Sequence, residues 1–169
     1  MPELIMQTLK YIAASALLTI APTVFAHSNQ IHEPAGPMTQ ETQEQQAWGV
    51  AGDARSALRT ITLNMTDDMR FSPNHFSVKR GETVRLHVVN QGQIMHEVVL
   101  GTQASLHEHA QMMLKFPGMQ HAEPYMAHVA PGTSEDLVWH FNRAGSFDFA
   151  CLIAGHYQAG MTGTFTVTE

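Results

Sequence analysis

A single cysteine, Cys151, stands in a chain of 169 residues. No internal disulfide can form, and any chemistry that needs two thiolates is excluded. Positive charge is scarce as well, with nine Lys and Arg against fifteen Asp and Glu and a formal net charge of −6. Without a basic stripe, nucleic-acid binding has no electrostatic footing. No glycine-rich phosphate loop is present, and the one apolar run, Tyr11–Ile20, is too short to span a bilayer comfortably. What is abundant is imidazole and thioether: the chain carries 11 His and 11 Met. Methionine fills cores, but nitrogen and soft sulfur donors beside a lone thiol also make a donor set suited to copper.

The N-terminus reads as a targeting segment. Lys10 precedes the apolar run, and Val24, Phe25 and Ala26 give the small-residue pattern of a signal-peptidase site. Residues 1–26 are therefore expected to be a cleavable signal peptide, leaving His27 as the mature terminus and no membrane span; Met6 as start would give a more ordinary signal length. Export implies an oxidising compartment, where a lone thiol is exposed to oxidation. A ligand role explains why it is tolerated. Residues 27–55 are polar and show no periodicity, the habit of a flexible arm, with Ala47, Trp48, Gly49 and Val50 expected to touch the domain. His27 and His32 offer imidazoles there, and the free amine of His27 a further donor for copper.

From Ser56 the pattern changes to short alternating strands separated by Gly, Pro and Asn. Ile61, Leu63 and Met65 share one face, and Val84, Leu86 and Val88 share another. Met69, Arg70 and Phe71 lead into a turn at 72–74, and further strands are expected at 75–79, 96–101, 135–141, 145–151 and 163–167. About seven such strands predict an all-β, Greek-key β-sandwich spanning 56–169. One segment, 102–128, does not fit: 102–115 has helical character, and 116–128 is a loop broken by Pro117 and Pro124.

The chemistry is concentrated directly after a predicted strand, where Cys151, His156 and Met161 form a C-x4-H-x4-M array. His96 opens an earlier strand just beyond the turn after Asn90. One thiolate and two imidazoles, with a weak axial thioether, are what an ion cycling between Cu(I) and Cu(II) requires. Held between strand ends, such a set keeps nearly the same geometry in both states. Each residue alone is weak evidence, since lone Cys and Met residues are usually packing. Spacing, strand context and the upstream His together select copper.

Residues from about Met65 to Glu169 resemble the cupredoxins, the family of plastocyanin, azurin and rusticyanin. The resemblance rests on Met69–Pro73, Val78–Val84, Asn90 followed by His96 and Glu97, and the C-x4-H-x4-M loop, which is similar to rusticyanin's and one residue longer than azurin's. It implies a single type 1 copper with His96, Cys151 and His156 as equatorial ligands and Met161 as the axial one. It also implies that Asn90 steadies the ligand loop by hydrogen bonding. The long His- and Met-bearing insert and the His-bearing arm are most similar to the periplasmic copper-tolerance cupredoxins of the CopI type.

The insert carries His107, His109, Met112, Met113, Met119, His121, Met126 and His128. A helix over 104–115 would put His109 and Met113 on one face, with Met112 close by. Thioethers hold Cu(I) better than Cu(II), so Met119, His121, Met126 and His128, in the irregular part, form a candidate second site for additional Cu(I). The alternative is a lid whose Met residues pack over the sandwich, and Met95 would merely line the pocket. A binuclear copper centre needs a second Cys. A multicopper oxidase needs His on both sides of the Cys, where this chain has Ala150 and Leu152. Zinc suits Cys and His but not an axial Met, and a Cys–His protease would need an oxyanion hole. No enzyme is expected. Two functions fit: copper handling in the periplasm, or a soluble electron carrier. A redox partner would dock near His156 on an apolar rim of Leu152, Ile153, Ala154, Tyr157 and Ala159.

Overall fold

The computed structural model describes residues 43–119 and 121–169. The expected signal peptide and the first part of the arm, with His27 and His32, lie outside the described residues. Two five-stranded sheets pack face to face. The strands in chain order are β1 (Val50–Ala51), β2 (Arg59–Thr66), β3 (Arg70–Ser72), β4 (His75–Lys79), β5 (Thr83–Asn90) and β6 (His96–Gly101). A helix, α1 (Gln103–Lys115), precedes β7 (Met126–Val129), β8 (Ser134–His140), β9 (Gly145–Ala150) and β10 (Thr162–Thr168). One sheet runs β1-β8-β5-β2-β3 and the other β4-β10-β9-β6-β7. The pairs β2–β5 and β4–β10 are parallel, the rest antiparallel. The mostly-β sandwich expected from the alternation is therefore present. Ten strands replace about seven because the two- and three-residue strands β1 and β3 and the edge strand β7 are too short to show a period of two.

The alternating residues do what their spacing predicts. Leu63 and Met65, Val84, Leu86 and Val88, Leu137 and Trp139, and Phe165 and Val167 are buried in one core between the sheets. Strand β6 is buried along its whole length. Val98 and Leu100 face that core, while Val99 lies under α1 with Leu106, Ala110, Met113, Ala150 and Leu152. The buried residues of α1 recur at i, i+4 and i+7, the stripe of a helix docked on one side. Its start is fixed by a capping box between Thr102 and Ser105.

The contact expected at 47–50 is present, while one part of the insert differs from its expected character. In the part of 27–55 that is described, Gln46 and Gly49 form a bridge, Val50–Ala51 pairs with β8, and Trp48 is buried against Tyr125, Trp139 and Phe147. A single indole in a polar stretch leaves no periodic signal, yet it is large enough to tie the segment to the sandwich. In the insert, residues 126–128 begin a strand rather than ending a loop, because β7 completes the edge of β6.

Candidate metal centre

The turn that delivers His96 is built by the side chain of Asn90, which is buried at the end of β5. Its Nδ2 donates to the carbonyls of Ile94 and Val129 at 2.8 and 2.9 Å, and its Oδ1 accepts the N–H of Gly92 at 2.8 Å. Asn90 thus steadies the turn before His96 and the edge strand β7, rather than the 151–161 segment for which the resemblance proposed it.

His96 is fully buried, and its Nε2 lies 3.0 Å from Oδ1 of Asp67. With Nε2–H donated to a carboxylate, Nδ1 keeps its lone pair, and Nδ1 lies 4.0 Å from the Sγ of Cys151. Asp67 also accepts the N–H of Gln93 at 2.7 Å. That bond first, and then the imidazole of His96, hold its carboxyl below the usual carboxylate range despite some desolvation. Gly92 makes room for it, since a Cβ there would lie 1.9 Å from Oδ1 of Asp67. Nothing in the chain's periodicity marks Asp67, one of two adjacent aspartates in the turn after β2.

The segment 151–161 is a closed loop. Cys151 N–H donates to the Met161 carbonyl and Met161 N–H to the His156 carbonyl, each at 3.1 Å. Gly155 and Gly160 sit at φ +93° and +91°, values that glycine alone adopts without strain. Arg70 donates to the carbonyl of Ala159 at 3.1 Å, bracing the loop from β3. Inside this frame Nδ1 of the half-buried His156 is 3.2 Å from Sγ of Cys151. Met161 is fully buried beside them in sequence and in the core.

One donor atom each from His96, Cys151 and His156 lies within 4.8 Å of the others. Donors held about 2.0–2.3 Å from a first-row ion in a trigonal set lie roughly 3.5–4 Å apart, and the separations of 3.2 and 4.0 Å bracket that value. The donors therefore fit a type 1 copper ion. Without a metal, burial pushes the Cys151 thiol up to about 12, and burial together with the nearby His96 pushes the His156 imidazole down. Metal loading then has to displace a proton from sulfur.

Beside this cluster stands Glu97, a buried acid to which the sequence assigns no role of its own. A charged residue inside the run His96–Gly101 was the available signal, since such a group is rarely buried without a partner. Burial raises its carboxyl above the ordinary range, opposed by the N–H of Leu152 and by nearby His121.

The candidate second-site residues separate. Met119, His121 and His128 line one open cavity together with Met95, Met113 and Ile153. His109 lies outside that lining, its ring 4.6 Å from that of His121, which is 6.3 Å from that of His128. Both ring nitrogens of His121 are buried without a hydrogen-bond partner among the described residues. Met126 does not line that cavity; it pairs with Val99 in β7 and packs against the cluster under α1. Met113 is buried in that same cluster, Met112 is exposed, and the ring of His107 lies 6.1 Å from that of Tyr157. Of the expected apolar rim near His156, Ile153, Ala154 and Tyr157 are half-buried and Ala159 is exposed. Leu152 is removed from that surface because it packs beneath α1.

Comparison with known proteins follows this geometry. The model of copper-binding proteins of the plastocyanin/azurin family matches residues 59–168. A copper-resistant cuproprotein CopI from Rubrivivax gelatinosus is 54% identical over 120 residues, covering 71% of this chain and 73% of the relative. A protein of the same description from Pseudomonas aeruginosa is 36% identical over 151 residues, covering 72% of this chain and 83% of the relative. Among solved structures, auracyanin from Roseiflexus castenholzii superposes with a TM-score of 0.58 at 21% identity, covering 67% of this chain and 99% of that one. At that identity the likeness concerns the fold.

Proposed function

The chain belongs to the plastocyanin/azurin family of copper-binding proteins, and on that premise we propose that it handles copper in the periplasm. In this reading His96, Cys151, His156 and Met161 hold one type 1 copper ion, and residues 1–26 direct export and are removed. The observation that carries the proposal is the convergence of two imidazole nitrogens on one buried thiol, within 4.8 Å. The bound ion supplies a one-electron couple. The chain's part is to hold the donors: Asp67 orients His96, the turns at Gly155 and Gly160 place His156, and the Cys151–Met161 backbone bond closes the loop. This is a binding and electron-exchange role, not an enzymatic one.

Tolerance is favoured over simple electron carriage by the insert. Two relatives described as copper-resistant support it, as does a cavity lined by thioethers and imidazoles beside the main cluster. We assign additional Cu(I) to Met119, His121 and His128, with His109 as neighbour. Met126, expected from sequence, stays in the set only as the residue packed behind them. The alternative, a soluble carrier meeting a redox partner near His156, draws on the half-buried edge of that ring among Ile153, Ala154 and Tyr157. No helix of the described residues is long and apolar enough to cross a membrane.

The deciding experiment is the visible spectrum of the copper-loaded, oxidised protein. An intense thiolate-to-copper absorption that disappears in Cys151→Ala is expected, and its persistence in that variant would overturn the assignment. Copper counting separates the two roles. Cu(I) bound beyond one equivalent, and lost on joint replacement of Met119 and His121 by Ala, supports handling. A single copper with rapid electron exchange to a cytochrome supports the carrier.

A further inference from the structure

Glu97 is the one acidic side chain among the described residues that is almost wholly buried. A carboxylate is costly in that position unless each oxygen is used. Both are. Oε1 accepts the N–H of Leu152 at 2.9 Å, and Oε2 lies 2.8 Å from Nε2 of His128. The first bond holds the residue that follows Cys151, and Glu97 itself follows His96. One carboxylate is thus a single residue away from two of the proposed copper donors. The second bond reaches the insert. Accepting Nε2–H fixes the tautomer of His128 and leaves its Nδ1 with a lone pair, the same arrangement that Asp67 imposes on His96. The ring of His128 is next to His121, whose nitrogens have no partner among the described residues.

We propose that Glu97 is a positioning residue shared by the two sites: one oxygen sets the backbone that carries Cys151, the other orients His128, so that the state of the insert is felt at the main centre. A purely structural acceptor for Leu152 would need only one neutral oxygen. The anchoring of Leu152 stands independently. The link to the insert rests on the second-site reading above. Because coupling is reciprocal, copper at the main centre likewise changes the insert's affinity for a soft monovalent ion.

The test uses the full chain carrying one oxidised copper, with Glu97→Gln, Glu97→Ala and His128→Ala. His128 is 37% exposed, so its truncation leaves the core intact. Two readouts are followed: the thiolate-to-copper absorption with its paramagnetic resonance, and amide exchange at Leu152 in the metal-free protein. Glu97→Ala is expected to speed Leu152 exchange about tenfold or more and to shift the band. Glu97→Gln restores the protection, since its carbonyl oxygen still accepts. His128→Ala shifts the band in the parent protein and leaves it in place when Glu97 is already Gln. Silver(I), a redox-inert soft cation, added to the copper(II) form shifts the band in the parent but not in Glu97→Gln. Unchanged Leu152 exchange in Glu97→Ala overturns the proposal. So does a His128→Ala variant whose band does not move, or a silver(I) shift that survives in Glu97→Gln. Silver(I) titration of Cys151→Ala reports on the insert alone. Failure to bind there removes the second-site reading, while the exchange and His128→Ala arms still decide the role of Glu97.

Discussion

Nε2 of His96 sits 3.0 Å from Oδ1 of Asp67, so a carboxylate stands directly behind one of the proposed copper donors. It fixes which nitrogen faces Cys151, and its negative charge favours the more positive oxidation state of an ion bound there. Asp67→Asn keeps the hydrogen-bond geometry and removes the charge. The reduction potential of the variant is expected to rise by about 59 mV, the equivalent of a tenfold shift in relative affinity for a one-electron couple. Protein-film voltammetry measures it directly, and a lower or unchanged potential would contradict the role given to Asp67.

Cys151 is fully buried, and without metal its thiol is pushed up to about 12. At pH 8 almost none is thiolate, whereas a free cysteine is substantially ionised. The metal-free folded protein should therefore react with a thiol-specific disulfide reagent about a thousandfold more slowly than the same chain unfolded in guanidinium. Copper uptake should release one proton per protein, measurable in weakly buffered solution. Rapid reaction of the folded protein would show that the loop opens freely.

The metal-free protein should also lose stability on mild acidification. Burial lowers the imidazoles of His109 and His156 from their ordinary 6.5. In the unfolded chain both take up protons as the pH falls through about 6.5, while in the folded chain they stay neutral to lower pH. The unfolded state then binds more protons, so stability falls as pH is lowered through that window and is regained above it. Thermal midpoints between pH 7.5 and 5.5 test the sign. Replacing His109 by Gln should flatten part of the slope; an unchanged slope would assign the effect elsewhere.

Much of this site is legible in the sequence. Alternating Leu63 and Met65, and Val84, Leu86 and Val88, announce strands because a two-sided sheet must sort its side chains. The spacing of Cys151, His156 and Met161 announces a donor set because one closed loop can bring them together. Asp67 and Glu97 were illegible for the opposite reason. Each acts on a donor far away in sequence, through contacts that only the packing of turn against strand creates. Met113 shows the limit of pattern reading within a helix: its place beside Leu106 and Ala110 makes it core, and no spacing rule separates that from ligation.

Trp48 gives the sharpest test of where the folded domain begins. The indole is 5% exposed and meets Tyr125 edge-on at 5.7 Å, with Trp139 and Phe147 each at 6.4 Å. Gly49 beside it has φ +144° and passes so close to β8 that a Cβ would lie 2.1 Å from the His140 carbonyl oxygen. Both features tie residues 46–51 to the sheet edge. Trp48→Ala should cost about 3–5 kcal/mol, as for other large-to-small changes in a core, and lower the thermal midpoint by roughly 10 °C or more. Gly49→Val should also destabilise, because the backbone there admits no side chain. At room temperature the thiolate-to-copper band should survive both changes, since the close contacts of these residues are with Tyr125, Trp139, Phe147 and His140 rather than with the copper donors. If Trp48→Ala left the midpoint unchanged, the segment would be only a loosely laid arm, and the folding unit would begin near Ser56.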